Sequence, residues 1–298
     1  MISKTPHATI NLSESVPRWI FGITAGLTVI LLIGIFLFLF ITGIGIFNNV
    51  SLKEFLFGTD WNPTSFHTPS WGIFSLIMST LMISILSLFI AVPFGLFIAI
   101  YLAEIASPKI REIFKPLVEM IASIPSVVLG LLGLLFLAPL IAKIFHLSNG
   151  LNALTASLLV AIAALPTIAS ICEDALSSVP YRFREASVAL GATKWTTIRR
   201  IVIPAAKSGL MAAIMLGLGR MIGETMIVLM VAGNSRAFPH SLLDSLRPMT
   251  ANIAIEIKEV VINSLHWQGL FAIGLILFLM TFAINFLADL LIHKKSFS

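Results

Sequence analysis

The sequence predicts an all-α, polytopic membrane protein with six transmembrane helices. Three observations carry this: an extremely apolar composition, six apolar runs of spanning length, and a lopsided distribution of basic residues. Of 298 residues, 58% are hydrophobic and only 11% charged, with a mean hydropathy of +1.01. Soluble domains carry about 25% charged residues, and a chain this apolar would aggregate in water. A single cysteine, Cys172, excludes an internal disulfide.

A bilayer crossing needs about 20 apolar residues. Runs that meet this requirement are 19–47, 71–102, 116–145, 153–172, 208–233 and 269–292. The first is too long for a signal core and reads as a retained span. Pro93, Pro125 and Pro166 fall inside the second, third and fourth runs. Each removes a backbone hydrogen bond and is expected to bend its helix.

With the N-terminus inside, the inner segments carry 13 basic residues: Lys4, Arg18, Lys109, Arg111, Lys115, Arg182, Arg184, Lys194, Arg199, Arg200, Lys207, Lys294 and Lys295. The outer segments carry 5: Lys53, Lys143, Arg236, Arg247 and Lys258. The positive-inside rule therefore predicts cytoplasmic termini at both ends. It also accounts for the net charge of +5 without a nucleic-acid partner. The outer loops are 48–70 and 234–268. A helix-like stretch at 249–262 has Ile253, Ile257 and Val260 or Val261 on one face, and either lies on the membrane or folds back into the bundle.

The inner segment 185–204, EASVALGATKWTTIRRIVIP, is too charged to lie in hydrocarbon. It reads as two short helices. Ser178 is placed to cap the first, with Pro180 near its first turn, and Gly191 to end it in a left-handed conformation. Thr193 is placed to cap the second, which carries Trp195, Ile198 and Val202 on one side. Pro204 then separates it from the next span. Either a hairpin resting on lipid or a docking element fits this periodicity. Glu185 offers a carboxylate to a basic partner, or to adjacent Arg182 or Arg184.

Arg220 falls near the middle of run 208–233, where a charge costs roughly 2.5–3.5 kcal/mol. Glu224 follows at i+4, the spacing of an ion pair along one helix face. Gly219 and Gly223 form a small-xxx-small ridge suited to close helix contact. The pair either holds helices together or lines an anion path. Arginine suits an oxyanion because its planar fork donates two parallel hydrogen bonds and keeps its charge. Glu119, Ser123, Ser126, Glu173 and Asp174 lie near the inner edge and read as interfacial or capping groups.

The pattern Glu-Ala-small, three residues, Gly, nine residues, Ile-x-Ile-Pro resembles the EAA loop of ABC-importer permeases. The matching positions are Glu185, Ala186, Ser187, Gly191, Ile201, Ile203 and Pro204, and Ser187 departs from the alanine of the family's name. GRMIGETM resembles the Arg-x-x-Gly-Glu-Thr signature of phosphate-importer permeases. Met221 and Ile222 vary from the commoner wording. IPSVVLGLLG (124–133), ALPTIASICEDALSSVP (164–180), MVAGN (230–234) and the outer WNP (61–63) extend the resemblance to the PstC type, over about 55–289.

That resemblance implies a single transmembrane permease domain over 1–298, with its coupling loop at about 175–207. It implies half of a phosphate path, with Arg220, Glu224 and Thr225 at the path or gate. It also implies a sister permease (PstA type), ATPase subunits (PstB type), a phosphate-binding protein (PstS type) and residence in membrane lipid of the bacterial inner membrane. Import of another oxyanion, molybdate or sulfate, is the alternative in the same class. A proton-coupled secondary transporter using Glu224 is the alternative in another, although it would have no ATPase to grip.

The chain has no G-x-x-x-x-G-K-[ST] loop, so ATP hydrolysis is expected on a separate subunit. H-E-x-x-H and G-x-S-x-G are also missing, and no catalytic residue is assigned. The six histidines show no metal-ligand spacing, and no metal or cofactor is expected.

Overall fold

The computed structural model describes residues 12–65 and 68–294; Lys4, Lys295 and the ends of the 1–298 domain lie outside the described residues. Helix α1 (Leu12–Ile44) is nearly continuous Ile, Leu and Phe only from Ile30 to Ile41. A short α2 (Leu52–Phe57) follows, capped by Ser51, whose Oγ accepts from the Glu54 N–H at 3.2 Å. Then come the antiparallel strands β1 (Trp61–Asn62) and β2 (Ser70–Trp71). Helix α3 (Phe74–Ile100) runs back and ends in a π turn over Tyr101–Ile105.

Helix α4 (Pro108–Ala122) is amphipathic and has no buried residue. The third expected span therefore starts too early: residues 116–122 belong to α4, and Pro125 sits at the N-cap of α5 (Ser126–Leu132) rather than inside a crossing. Proline has no N–H to give and disfavours helix in the residue before it, so a helix start is where it fits best. After a π turn over Gly133–Leu137, α6 (Ala138–Phe145) completes the crossing. Pro93 and Pro166, by contrast, lie inside the continuous helices α3 and α7 (Ala153–Ser177). The Asn152 side chain caps α7 by accepting from the Thr155 N–H at 2.9 Å.

Beyond α7 come α8 (Tyr181–Ala189), α9 (Lys194–Thr197), a π turn over Ile198–Val202, α10 (Ile203–Ala205) and α11 (Lys207–Ile222). Then follow α12 (Met226–Val231), α13 (Met249–Glu256) and α14 (Leu265–Lys294). Among the described residues, five helices are long and apolar enough to cross a membrane. A sixth crossing exists if Lys194–Ala205 and Lys207–Ile222, bent by 70°, count together. The expected fifth span is thus not one helix. At 1.5 Å per residue α11 rises about 24 Å, short of a 30 Å core, and α12 continues only after a break at Gly223–Thr225.

Small residues bring the central helices together. Ser87, Ala91, Gly95 and Ala99, each four residues on from the last, line the buried side of α3. Ile168 of α7 wedges between α3 and α11. A Cβ at Gly95 would lie 2.9 Å from Ile168 Cγ2, and one at Gly217 would lie 2.5 Å from Ile168 Cγ1. Lipid tails are as apolar as these side chains, so close packing rather than water exclusion holds the helices. The ridge expected at Gly219 and Gly223 makes no such contact: a Cβ at Gly219 meets nothing within 4 Å. Outside this core, α1 lies against α14, with Phe36 on Phe278 and Phe38 on Phe271 at 5.7 and 5.3 Å between ring centres.

The end bearing the β-hairpin is closed by a second core of Phe55, Trp61, Trp71, Met249 and Ile273. Of the stretch at 249–262, the helical part Met249–Glu256 folds back into the bundle, while Val261 and Ile262 are exposed. Glu256 organises this cap. It accepts from Trp61 Nε1 at 2.9 Å, hydrogen-bonds with His266 Nε2 at 2.8 Å and pairs with Arg247 Nη1 at 3.2 Å.

Burial pushes the Glu256 carboxyl up. The bonds from His266 and Trp61 and the nearby charges of His266 and Arg236 more than offset that, leaving it below its ordinary 4.5. A lowered folded value means stabilisation that is present above the unfolded value and lost as pH falls through the folded one. The thermal midpoint in detergent should therefore drop as the pH falls below about 4.5, the ordinary value of this carboxyl. Glu256→Gln should start lower and show a shallower dependence; equal slopes would contradict the role given to this carboxylate.

Candidate functional site

Two places combine polar groups with an unpacked surface. The first is the α8–α9 hairpin. Arg184 of α8 plugs into the ends of two spanning helices. Its Nη2 donates to Glu104 Oε1 at 2.5 Å and to the Leu176 carbonyl at 2.9 Å, while Nη1 donates to the Val179 carbonyl at 2.6 Å. A cation on the last carbonyls of α7 meets the negative end of that helix. Glu104 is presented by the π turn that ends α3. Arg184 is thus committed to Glu104, not to Glu185.

The hairpin turns at Gly191, whose φ of +79° is the left-handed conformation expected there. Thr193 caps α9, its Oγ1 accepting from the Thr196 N–H at 3.3 Å. Ser178 does not cap α8. It ends α7, donating to the Ala175 carbonyl, and Pro180 takes the N-cap position. Ser187 Oγ lies 2.9 Å from Thr197 Oγ1, tying the two short helices together. An alanine could not make that bond, which gives a physical reason for serine at this position. Ile198 and Val202 are buried, but Trp195 is exposed, so the expected single face is split.

Pro204 lies within α10, and the chain breaks at Ala206 instead. In the preceding π turn the Ile203 N–H reaches back to the Ile198 carbonyl, a one-residue shift just before proline withdraws its donor. Ile201 and Ile203 are half-buried on this connection. Glu185, Ala186, Val188 and Leu190 face outward, Leu190 at 90% exposure.

Helix α4 braces this end. Glu173, only 1% exposed, takes Arg111 and Lys115, and Lys115 also reaches Asp174 Oδ1 at 2.7 Å. Glu173 is therefore a buried bridge rather than an interfacial group. Its signal was visible: the acidic residues at the end of the fourth run and the basic residues just before the third were expected on the same side.

The second place is the break between α11 and α12. Arg220 and Glu224 are not paired. With the helix ended at Gly223, i+4 spacing no longer stacks the two side chains. Glu224 Oε1 instead accepts from the N–H groups of Met226 and Ile227 at 3.0 and 3.2 Å, satisfying donors at the start of α12. Its backbone carbonyl accepts from Thr250 Oγ1 of α13 at 3.0 Å. Thr225 Oγ1 donates to the Gly223 carbonyl at 3.2 Å.

Arg220 Nη1 donates to Thr167 Oγ1 of α7 at 3.2 Å, a partner that sequence reasoning missed. Thr167 sits in the ALPTIAS segment beside Pro166, and its polarity inside an apolar run was the available signal. Arg220 is exposed and flanked by Gly219 and Gly223, while Met221 and Ile222 on the opposite side are buried. A broken backbone and a bare guanidinium in an apolar span are tolerated only where they face protein or a water-lined cavity. The arrangement can present hydrogen-bond donors to an anion on an otherwise smooth face. Among the described residues no cluster of His, Cys, Asp or Glu is placed to hold a metal ion.

Comparison with known proteins places this architecture. Residues 91–296 match the family described as binding-protein-dependent transport system inner membrane component. The probable ABC transporter permease protein YqgH of Bacillus subtilis is 38% identical over 252 residues, covering 84% of this chain and 81% of its own. The phosphate transport system permease protein PstC of Mesorhizobium japonicum is 37% identical over 260 residues, covering 81% of this chain and 78% of its own. A chain of a bacterial ABC transporter involved in import of the acidic polysaccharide alginate superposes with a TM-score of 0.61 at 16% identity, over 95% of this chain and 98% of that one. A chain of the inward-facing MetNI methionine ABC transporter superposes with a TM-score of 0.55 at 21% identity, over 75% and 94%. The structural likenesses show the fold, and the family match together with the curated relatives shows that the chain belongs to the binding-protein-dependent transport system inner membrane components, as a permease of the ABC-importer type.

Proposed function

We propose that this permease is the PstC-type subunit of an ATP-driven phosphate importer and forms half of the translocation path. The observation that carries the reading is Arg220: a permanent cation held against α7 at a helix break, on a face that nothing among the described residues covers. A sister permease of PstA type would cover that face, with phosphate passing between the two subunits near Arg220, Glu224 and Thr225. Support for phosphate comes from the PstC proteins of Mesorhizobium japonicum and Haemophilus influenzae, 37% and 35% identical to this chain.

The whole chain acts as one permease domain in the inner membrane, with both termini and the α8–α9 hairpin in the cytoplasm. The coupling loop, at about 175–207, presents Glu185, Ala186 and Leu190 to a PstB-type ATPase. ATP is hydrolysed there, since this chain has no phosphate-cradling loop. A PstS-type binding protein delivers phosphate to the opposite face. An exposed hairpin anchored to two spanning helices supports an ATPase-driven machine over a secondary transporter.

Phosphate uptake in a strain that depends on this permease tests the substrate. Labelled phosphate should enter at a rate unaffected by excess sulfate or molybdate. Uptake of either competitor in place of phosphate would overturn the assignment.

A further inference from the structure

Several hydroxyl groups in the apolar helices of this chain turn back on their own backbone. Ser79, Thr80 and Thr281 donate to carbonyls four residues earlier, at 2.7, 2.9 and 2.5 Å. That is the default for serine and threonine where no water is at hand. Thr167 makes no such bond. Its Oγ1 faces α11 and accepts from Arg220 Nη1.

Arg220 has little else to hold it. Among the described residues, Thr167 is its one hydrogen-bond partner. Its own helix offers little lateral support at Gly217, Gly219 and Gly223, and a Cβ at Gly219 would meet nothing within 4 Å. A free arginine side chain would sample many rotamers, and an anion would have to order it on every passage. The support that Thr167 gives is also well placed. The next residue, Ile168, is fully buried between Gly95 and Gly217, so the α7 backbone at this point is fixed against both α3 and α11.

We propose that Thr167 is a positioning residue for transport: its hydroxyl holds the Arg220 guanidinium toward the unpacked face, and it acts on the passing anion through Arg220. The inference rests on the reading of Arg220 as part of the phosphate path. Thr167→Val keeps the shape of the side chain and removes the acceptor, whereas Thr167→Ser keeps the acceptor and removes a methyl group.

The test uses the complete importer in proteoliposomes, with its ATPase, its binding protein and labelled phosphate. Thr167→Val should assemble with the ATPase at the parental yield. Its maximal uptake rate should fall about tenfold, the size of one lost hydrogen bond to a charged group. Its KM, set by capture on the binding protein, should not change. Thr167→Ser should restore the rate to within about threefold of the parent. Parental uptake by Thr167→Val, alongside failed uptake by Arg220→Gln, overturns the positioning role and leaves the path intact. An equal loss in the serine and valine variants also overturns it, because packing rather than the hydroxyl would then be at stake. Parental uptake by Arg220→Gln removes the path reading itself, and this inference with it.

Discussion

Arg220→Gln should abolish phosphate import while leaving the complex assembled. Glutamine keeps a hydrogen-bonding side chain near Thr167 but loses the charge and the bidentate fork. Loss of two charge-assisted donors to a desolvated anion lowers the rate by about two orders of magnitude. Assembly should survive because Arg220 has no carboxylate partner whose burial depends on it. For the same reason, adding Glu224→Gln should rescue nothing. Glutamine at 224 retains an oxygen to cap α12, so the double variant should assemble as well. Recovery of uptake in the double variant would revive the ion pair that the helix break excludes. Poor assembly of the single variant would make Arg220 a packing residue.

Glu185→Lys should uncouple the complex. Glu185 is exposed and has no partner among the described residues, while Arg184 beside it is already committed to Glu104. Its carboxylate is thus free for a basic group on an ATPase. Reversing the charge leaves that group facing a lysine, and truncating one side of an interfacial charge pair costs 2–5 kcal/mol, so ATPase association should weaken more than about tenfold. Membrane insertion and the fold of the hairpin should be unchanged, because Ser187–Thr197 and Arg184–Glu104 hold it from behind. Normal ATP-driven uptake with the ATPase still bound would contradict the docking role.

The helical class and most of the spans were legible because runs of apolar residues leave few alternatives in a bilayer. Two boundaries were not. Residues 116–122 are apolar enough to extend a span, yet Pro125 and the basic face of α4 set them on the surface, a decision made by Arg111 and Lys115 reaching Glu173. Residues 208–233 read as one helix because neither Gly223 nor Thr225 breaks a helix by itself. The break depends on Glu224 capping α12 and on Thr250 of α13 holding the Glu224 carbonyl. Both are tertiary decisions.

The same distinction runs through the candidate site. Gly191 and Thr193 announced the hairpin by local rules. Arg184–Glu104, Ser187–Thr197 and Arg220–Thr167 join residues whose neighbours in sequence give no hint of one another. The i+4 rule misled at Arg220 because it presumes an unbroken helix.

The central claim is that this chain passes phosphate through a path powered by a separate ATPase. The direct measurement is ATP hydrolysis by the complex purified through this subunit and reconstituted in lipid. An ATPase should co-purify with it, and phosphate-loaded binding protein added on the outer side should raise hydrolysis together with phosphate entry. Phosphate transport by this chain alone, driven by a proton gradient with no ATPase present, would contradict the account.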